Sequence, residues 1–295
     1  MVSYDNLKKL ITLMGQNAVL LFSFKPHLRG LDYVVLENGC EKIFLTSDLT
    51  VRDRKKLATS ETWNKFKRYF FEGLFFVRLD GCVYICSPDV WSPSVDAAIL
   101  MEVLHENVHL FNDCKSLLDL GYGTGVTTIG TSQILKSINK VFLYDVNPDA
   151  QYICAINHYL NNFNAETIFL NKNGLTSAKA DICITAPYYV PIEKDINVSP
   201  EADLNVAVKT TAQMINYCIE HCQKFALFIL SSITEKEVVP LIPYQFKVIK
   251  EQKVLFTIGD NVGNQGVVHS LIEKNSLELF DGDYYHIVKI GLFTR

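Results

Sequence analysis

The sequence predicts an α/β fold: a doubly wound, seven-stranded, mostly parallel sheet with a small N-terminal α+β domain. Three observations predict it. From Ser116 onward, short β-branched and aromatic runs alternate with helical stretches, the pattern of strands wrapped by helices. A glycine-rich bend, Gly121-Tyr122-Gly123-Thr124-Gly125, follows the first of those runs and opens a helix. Two further β-rich runs close the chain with no clear helix between them, only a Gly- and Asn-rich stretch, so they pair antiparallel at the sheet's edge.

The elements follow in order. Residues 1–88 read as a separate N-terminal domain for substrate recognition or an accessory role. It begins with KKLITLMGQNAVLLFSF, which imitates a signal peptide. Gly15, Gln16 and Asn17 break its apolar run, no small-residue cleavage pattern follows, and it is too short to span a bilayer, so it reads as a helix turning into a strand. A charged helix near 51–70 carries the basic run Arg52–Lys56 on a solvated face. FEGLFFVRLDGCVYIC then reads as a hairpin turning at Asp80-Gly81. The two prolines of SPDVWSPS mark a hinge into the second domain, 89–295. There the expected strands are 116–120, 140–146, 166–170, 180–185, 224–231, 245–256 and 284–293. Helices are expected near 124–136, 148–161 and 203–222.

Composition narrows the function classes. A 48% hydrophobic, 20% charged chain is ordinary globular material. The net charge of −4 argues against a dedicated nucleic-acid binder, which needs clustered Lys and Arg. The cysteines are scattered and several lie inside apolar runs, so they read as reduced, buried thiols of a cytoplasmic protein.

The glycine bend carries the chemistry. A dinucleotide site shows G-x-G-x-x-G, whose third glycine would stand at Val126. Here it stands one residue earlier, at Gly125, and Asp119 lies two residues before Gly121. The spacing resembles the D-x-G-x-G-x-G of methyltransferases that use S-adenosylmethionine. The physical distinction is charge. A pyrophosphate suits the positive end of a helix, whereas S-adenosylmethionine brings an ammonium and a sulfonium that a carboxylate such as Asp119 helps neutralise. The second strand ends at Asp145, placed to accept from ribose hydroxyls, followed by Val146 and by Asn147-Pro148 opening a helix. Asn173, Gly174 and Leu175, after the third strand, are expected beside the adenine. The cofactor set is therefore Asp119, Gly121, Tyr122, Gly123, Gly125, Asp145, Val146, Asn173, Gly174 and Leu175.

The fourth strand ends ADICITAPYYVP. Together with D-L-G-Y-G-T-G and YDVNPDA, it resembles class I methyltransferases of the protein-glutamine (release factor) and adenine-N6 type, which carry N-P-P-Y there. FFEGLFFV and VWSPSVDAAILMEVL are similar to further stretches of the release-factor branch. The resemblance implies a Rossmann-like methyltransferase domain. The family's Asn and first Pro grip an amide or amino group, but here the motif is degenerate: Ala186, Pro187, Tyr188 and Tyr189. Ala186 has no side-chain acceptor, and the family's upstream Arg and Thr become Ser94 and Ala97. A site without its buried acceptor loses discrimination for a planar nitrogen. The acceptor expected is therefore an altered N or O nucleophile, a small molecule, in a site lined by Ala186–Tyr189. Tyr188 and Tyr189 are the candidate catalytic residues, orienting the acceptor or walling its pocket. Residues 1–88 and the loop Gly259–Gly266 are expected to set acceptor choice.

His105, Glu106 and His109 match H-E-x-x-H, but no third ligand follows and His109 sits among apolar residues, so no metal is expected. Two other readings stay open: a glutamine methyltransferase acting on a translation release factor, and a catalytically degenerate cofactor-binding scaffold. No membrane association is expected.

Overall fold

The computed structural model describes residues 33–37, 40–44, 66–71, 74–87, 90–91, 93–189, 200–256, 265–280 and 283–295. The expected helix-to-strand start, the basic run and most of GDNVGNQG lie outside them. The N-terminal β-rich runs form one five-stranded sheet: β1 (Tyr33–Glu37), β2 (Cys40–Phe44), β3 (Phe66–Phe71), β4 (Leu74–Leu79) and β5 (Cys82–Ile85), ordered β2-β1-β3-β4-β5. β3 occupies the end of the expected 51–70 helix. Its FKRYFF is dense in aromatics, which favour a pleated strand, and pairing with β4 outweighs the charge pattern. The β4–β5 turn falls where the sequence placed it, with Asp80 at φ 51° and Gly81 at φ 79°, the left-handed pair of a tight hairpin turn.

The chain then builds α1 (Val95–Glu106), α2 (Val108–Phe111), β6 (Ser116–Leu120), α3 (Val126–Ile134), β7 (Lys140–Tyr144), α4 (Pro148–Leu160), β8 (Glu166–Phe169), α5 (Lys172–Leu175) and β9 (Ala180–Thr185). Beyond these come α6 (Pro200–His221), β10 (Cys222–Ser231), α7 (Glu235–Val238), β11 (Lys247–Leu255), α8 (Gln265–Glu273), β12 (Glu278–Phe280) and β13 (Asp283–Thr294). The main sheet has the order β11-β13-β10-β9-β6-β7-β8, with β12 paired to β13. The pairs among β10, β9, β6, β7 and β8 are parallel, and β13 runs antiparallel between β10 and β11.

Burial explains the order. Leu117, Leu118, Ile182, Cys183, Ile184 and Leu227 are fully buried, as near-continuous apolar central strands must be. β11, KVIKEQKVL, carries three lysines and takes the edge, where charge deters further pairing. α1 packs against α3, β11 and β13, while α6 packs against α8, β6, β9 and β10. The expected antiparallel pairing of the two closing runs is present, but the absence of a helix between them is not. α8 lies there, with Val267, Val268, Leu271 and Ile272 at helical spacing and Leu271 buried. Asn275, at φ 52°, ends it, while Ser276 N–H returns to the Leu271 carbonyl. Cys82, Cys86, Cys114, Cys154, Cys183, Cys218 and Cys222 are free and buried. No helix among the described residues is long and apolar enough to cross a membrane.

Strand order reverses between β6 and β9: β7 and β8 extend one way from β6, β9 and β10 the other. The segments leaving the carboxyl ends of β6 and β9 therefore diverge and open a crevice. They are the glycine bend and Ala186–Tyr189.

Candidate functional site

The bend is built from three left-handed glycines, with φ of 76° at Gly121, 48° at Gly123 and 82° at Gly125. Gly125 is the cap residue of α3, so that cap has no side chain to satisfy the helix's free N–H groups. A Cβ there would stand 2.6 Å from Cys154 Sγ of α4, besides the strain of the left-handed conformation. Asp119, at the end of β6, reaches the first turn of α3. Its Oδ2 accepts from Thr127 Oγ1 and, at 2.6 Å, from Thr128 Oγ1, and the Thr128 backbone N–H also lowers its pKa. The carboxyl is only 1% exposed. Burial pushes its pKa up to about 6, with the two threonine hydroxyls opposing that rise. Asp119 thus lies beneath the bend and not at its open face, because its strand position turns it toward the start of α3.

Asp145 lies on the other side of the bend. Its Oδ2 accepts from Gly123 N–H at 2.9 Å and its Oδ1 from Asn147 N–H at 2.8 Å. Gly121 N–H donates to the Tyr144 carbonyl at 2.7 Å, fixing the bend to β7. Val146, next in sequence, is an apolar side chain left 86% exposed. Asn147 caps α4 through Asp149 N–H at 3.0 Å, with Pro148 in the first turn as the sequence indicated. Asn171 caps α5 through Gly174 N–H at 2.8 Å, leaving Asn173 exposed and Leu175 buried. The Tyr122 side chain turns inward, its ring 5.8 Å from that of Phe169, so only its backbone belongs to the bend's surface.

The segment after β9 is held from several directions. Thr185 Oγ1 donates to the Leu120 carbonyl at 3.0 Å, tying β9 to β6 at the crevice. Thr211 Oγ1 of α6 donates to the Tyr188 carbonyl at 3.1 Å. The Tyr188 ring meets Trp91 edge-on, centroids 5.4 Å apart. The Trp91 carbonyl lies against Gly123, 3.3 Å from where a Cβ would stand, so the hinge segment passes over the glycine bend. Tyr189 departs from the expectation that its hydroxyl orients an acceptor. That hydroxyl donates to Asp96 Oδ2 of α1 inside the protein, where Ser94 Oγ also donates, at 3.3 Å. Behind it, the His286 ring lies 5.8 Å from the Tyr189 ring and bonds to Ser231 Oγ through Nδ1 at 2.9 Å. Burial lowers the His286 pKa to about 4, so the imidazole is neutral at pH 7.

The H-E-x-x-H residues are separated by the fold. Asn107 ends α1 before His109, which belongs to α2. His105 Nε2 bonds Asp80 Oδ2 at 2.6 Å, and Glu106 accepts from Lys250 Nζ at 2.8 Å.

Sequence reasoning missed Trp91, Asp96, Thr127, Thr128 and Asn157. Paired hydroxyls two and three residues after Gly125 were a signal for Asp119's partners. Asp96 looked like an ordinary first-turn acid.

Neither a protein-family model nor a curated protein matches the chain. Solved structures are similar to it at low identity. The M. jannaschii tRNA m1G37 methyltransferase is 13% identical, with 91% of this chain and 76% of that one covered and a TM-score of 0.47. M. jannaschii TYW2 in complex with AdoMet is also 13% identical, with 75% and 87% covered and a TM-score of 0.41. Both are likenesses to solved structures, at low identity.

Proposed function

We propose that this chain is an S-adenosylmethionine-dependent methyltransferase with an altered acceptor site. The observation that carries the reading is the Asp119 carboxylate, buried at the start of α3, where the Thr127 and Thr128 hydroxyls donate to it. A diphosphate needs the positive end of a helix, and here a carboxylate already occupies it. A cationic ligand is favoured over the same bend.

The surrounding residues fit the group. Gly121 and Gly123 leave backbone open where a Cβ would meet Met214 or Trp91. Asp145 retains acceptor capacity beyond its two backbone bonds, enough for ribose hydroxyls. Val146 offers an apolar face to the adenine, with Asn173, Gly174 and Leu175 at its edge. When bound, S-adenosylmethionine supplies a methyl group on a sulfonium. The protein's own task is to hold an N or O acceptor in line with it, where orientation alone contributes several kcal/mol, about 7–11 in well-aligned systems. Ala186, Pro187 and Tyr188 line that position, with Trp91 and Tyr188 as its aromatic wall. Tyr189 holds the segment in place through Asp96. Residues 1–88 serve as the accessory domain.

Incubation with methyl-labelled S-adenosylmethionine and separate pools of small molecules, a translation release factor and RNA tests the reading. Label in any pool that disappears with Asp145→Ala supports it, and the labelled pool identifies the acceptor. Cofactor binding without label in any pool would favour a non-catalytic scaffold.

A further inference from the structure

Helix α4 and its C-terminal cap residue present two buried asparagines one turn apart, Asn157 and Asn161, and together they act as a strand toward the free edge of β5. Asn161 Oδ1 accepts from Val83 N–H at 2.9 Å, and Asn161 Nδ2 donates to the Val83 carbonyl at 2.7 Å. Asn157 repeats the pairing at Ile85, accepting from its N–H at 2.8 Å and donating to its carbonyl at 3.1 Å. The periods match: four helical residues rise about 6 Å, and two strand residues advance roughly 6.6 Å. β5 ends its sheet with only β4 beside it, so without these amides its buried N–H and C=O groups would lack partners.

Asn157 makes one bond that Asn161 does not. Its Nδ2 also donates to the Thr124 carbonyl at 2.8 Å. Thr124 stands between Gly123 and Gly125, directly before the cap of α3. Both hydrogens and the oxygen of the Asn157 amide are therefore engaged, joining the N-terminal sheet to the glycine bend in a single side chain. Glycine at 125 permits this approach, since α4 packs against the bend at Cys154.

We propose that Asn157 is a positioning residue for the cofactor bend, transmitting the seating of the β4–β5 hairpin to cofactor affinity. The affinity part rests on the methyltransferase reading; the positioning part does not. Asn157→Asp and Asn161→Asp each replace an amide N–H2 with an oxygen facing a β5 carbonyl, but only the first also confronts Thr124. The two are compared in the full chain by titration with S-adenosylhomocysteine and by hydrogen exchange at the Gly125 and Val126 amides. Both variants should lose similar thermal stability. N157D should bind about tenfold more weakly or worse, as expected for a lost buried hydrogen bond, with faster exchange at both amides. N161D should stay within about twofold of wild type in both readouts. Equal exchange in the two variants would overturn the proposal. Wild type that does not bind S-adenosylhomocysteine would sink the cofactor reading while the exchange comparison still decides the positioning role. Asn157→Ser, which places no charge in the core, substitutes if N157D does not fold.

Discussion

Thr128 Oγ1 of α3 donates to the Asp119 carboxylate of β6 at 2.6 Å, so a strand-end carboxylate is tied to the first turn of a helix whose cap residue is glycine. The arrangement places a buried negative charge under the bend.

That burial has a pH signature. The native Asp119 pKa, about 6, lies above the ordinary 3.8, so the folded state binds the extra proton between those values. Asp119 therefore adds stability as pH falls from about 6 to 4 and withdraws it as pH rises. Asp119→Asn should be more stable relative to wild type at pH 7 than at pH 4, by about 3 kcal/mol. Denaturant unfolding of both proteins at the two pH values measures this. A difference that does not change with pH would count against the assignment.

Gly125→Ala should cost about 1–3 kcal/mol and weaken binding at the bend. Left-handed backbone strain accounts for about 1–2 kcal/mol of that. The rest comes from the Cys154 sulfur 2.6 Å from the new methyl. Adding Cys154→Ala should relieve the contact and leave the strain. A double variant with coupling near zero, read from thermal unfolding, would show that α4 does not crowd the bend.

Tyr189→Phe separates support from chemistry. The variant leaves Asp96 buried without its tyrosine donor, a loss of about 1–3 kcal/mol in stability. Methyl transfer at a temperature where it remains folded should stay within about threefold of wild type, as expected for a residue that does not touch the acceptor. A drop in kcat of a hundredfold without loss of stability would return Tyr189 to a direct role.

His286 supplies the opposite pH signal to Asp119. Its native pKa, about 4, lies below the ordinary 6.5, so the unfolded state takes the proton first. Its contribution is intact above pH 6.5 and is lost as pH falls toward 4. His286→Asn should therefore gain stability relative to wild type across that window, by about 3 kcal/mol. Unfolding midpoints at pH 7 and pH 4.5 measure the change. Parallel pH profiles would mean that the imidazole is solvated in the native state.

Much of the sheet was legible because its signals are local. Ser116–Leu120 and Ala180–Thr185 appear with the predicted bounds, since each is a short apolar run ended by a turn segment. α8 escaped notice because nine residues flanked by Gly and Asn give little more than one apolar repeat. The strand at Phe66–Phe71 was hidden by the preceding charges, and its partner β4 decides it. In the site, glycine spacing located the bend, but spacing does not say which way a strand-end side chain points, so the turn of Asp119 toward Thr127 and Thr128 comes only with the fold. The Asn157–Ile85 and Asn161–Val83 pairs join segments 72 and 78 residues apart, and only the packed fold brings them together.

The central claim is that this bend holds a sulfonium cofactor and not a dinucleotide. Isothermal titration of the full chain with S-adenosylhomocysteine and, separately, with NADH tests it most directly. A sulfonium site gives saturable one-to-one binding of the first, abolished by Asp145→Ala, and no heat from the second. Heat with NADH and none with S-adenosylhomocysteine would contradict it.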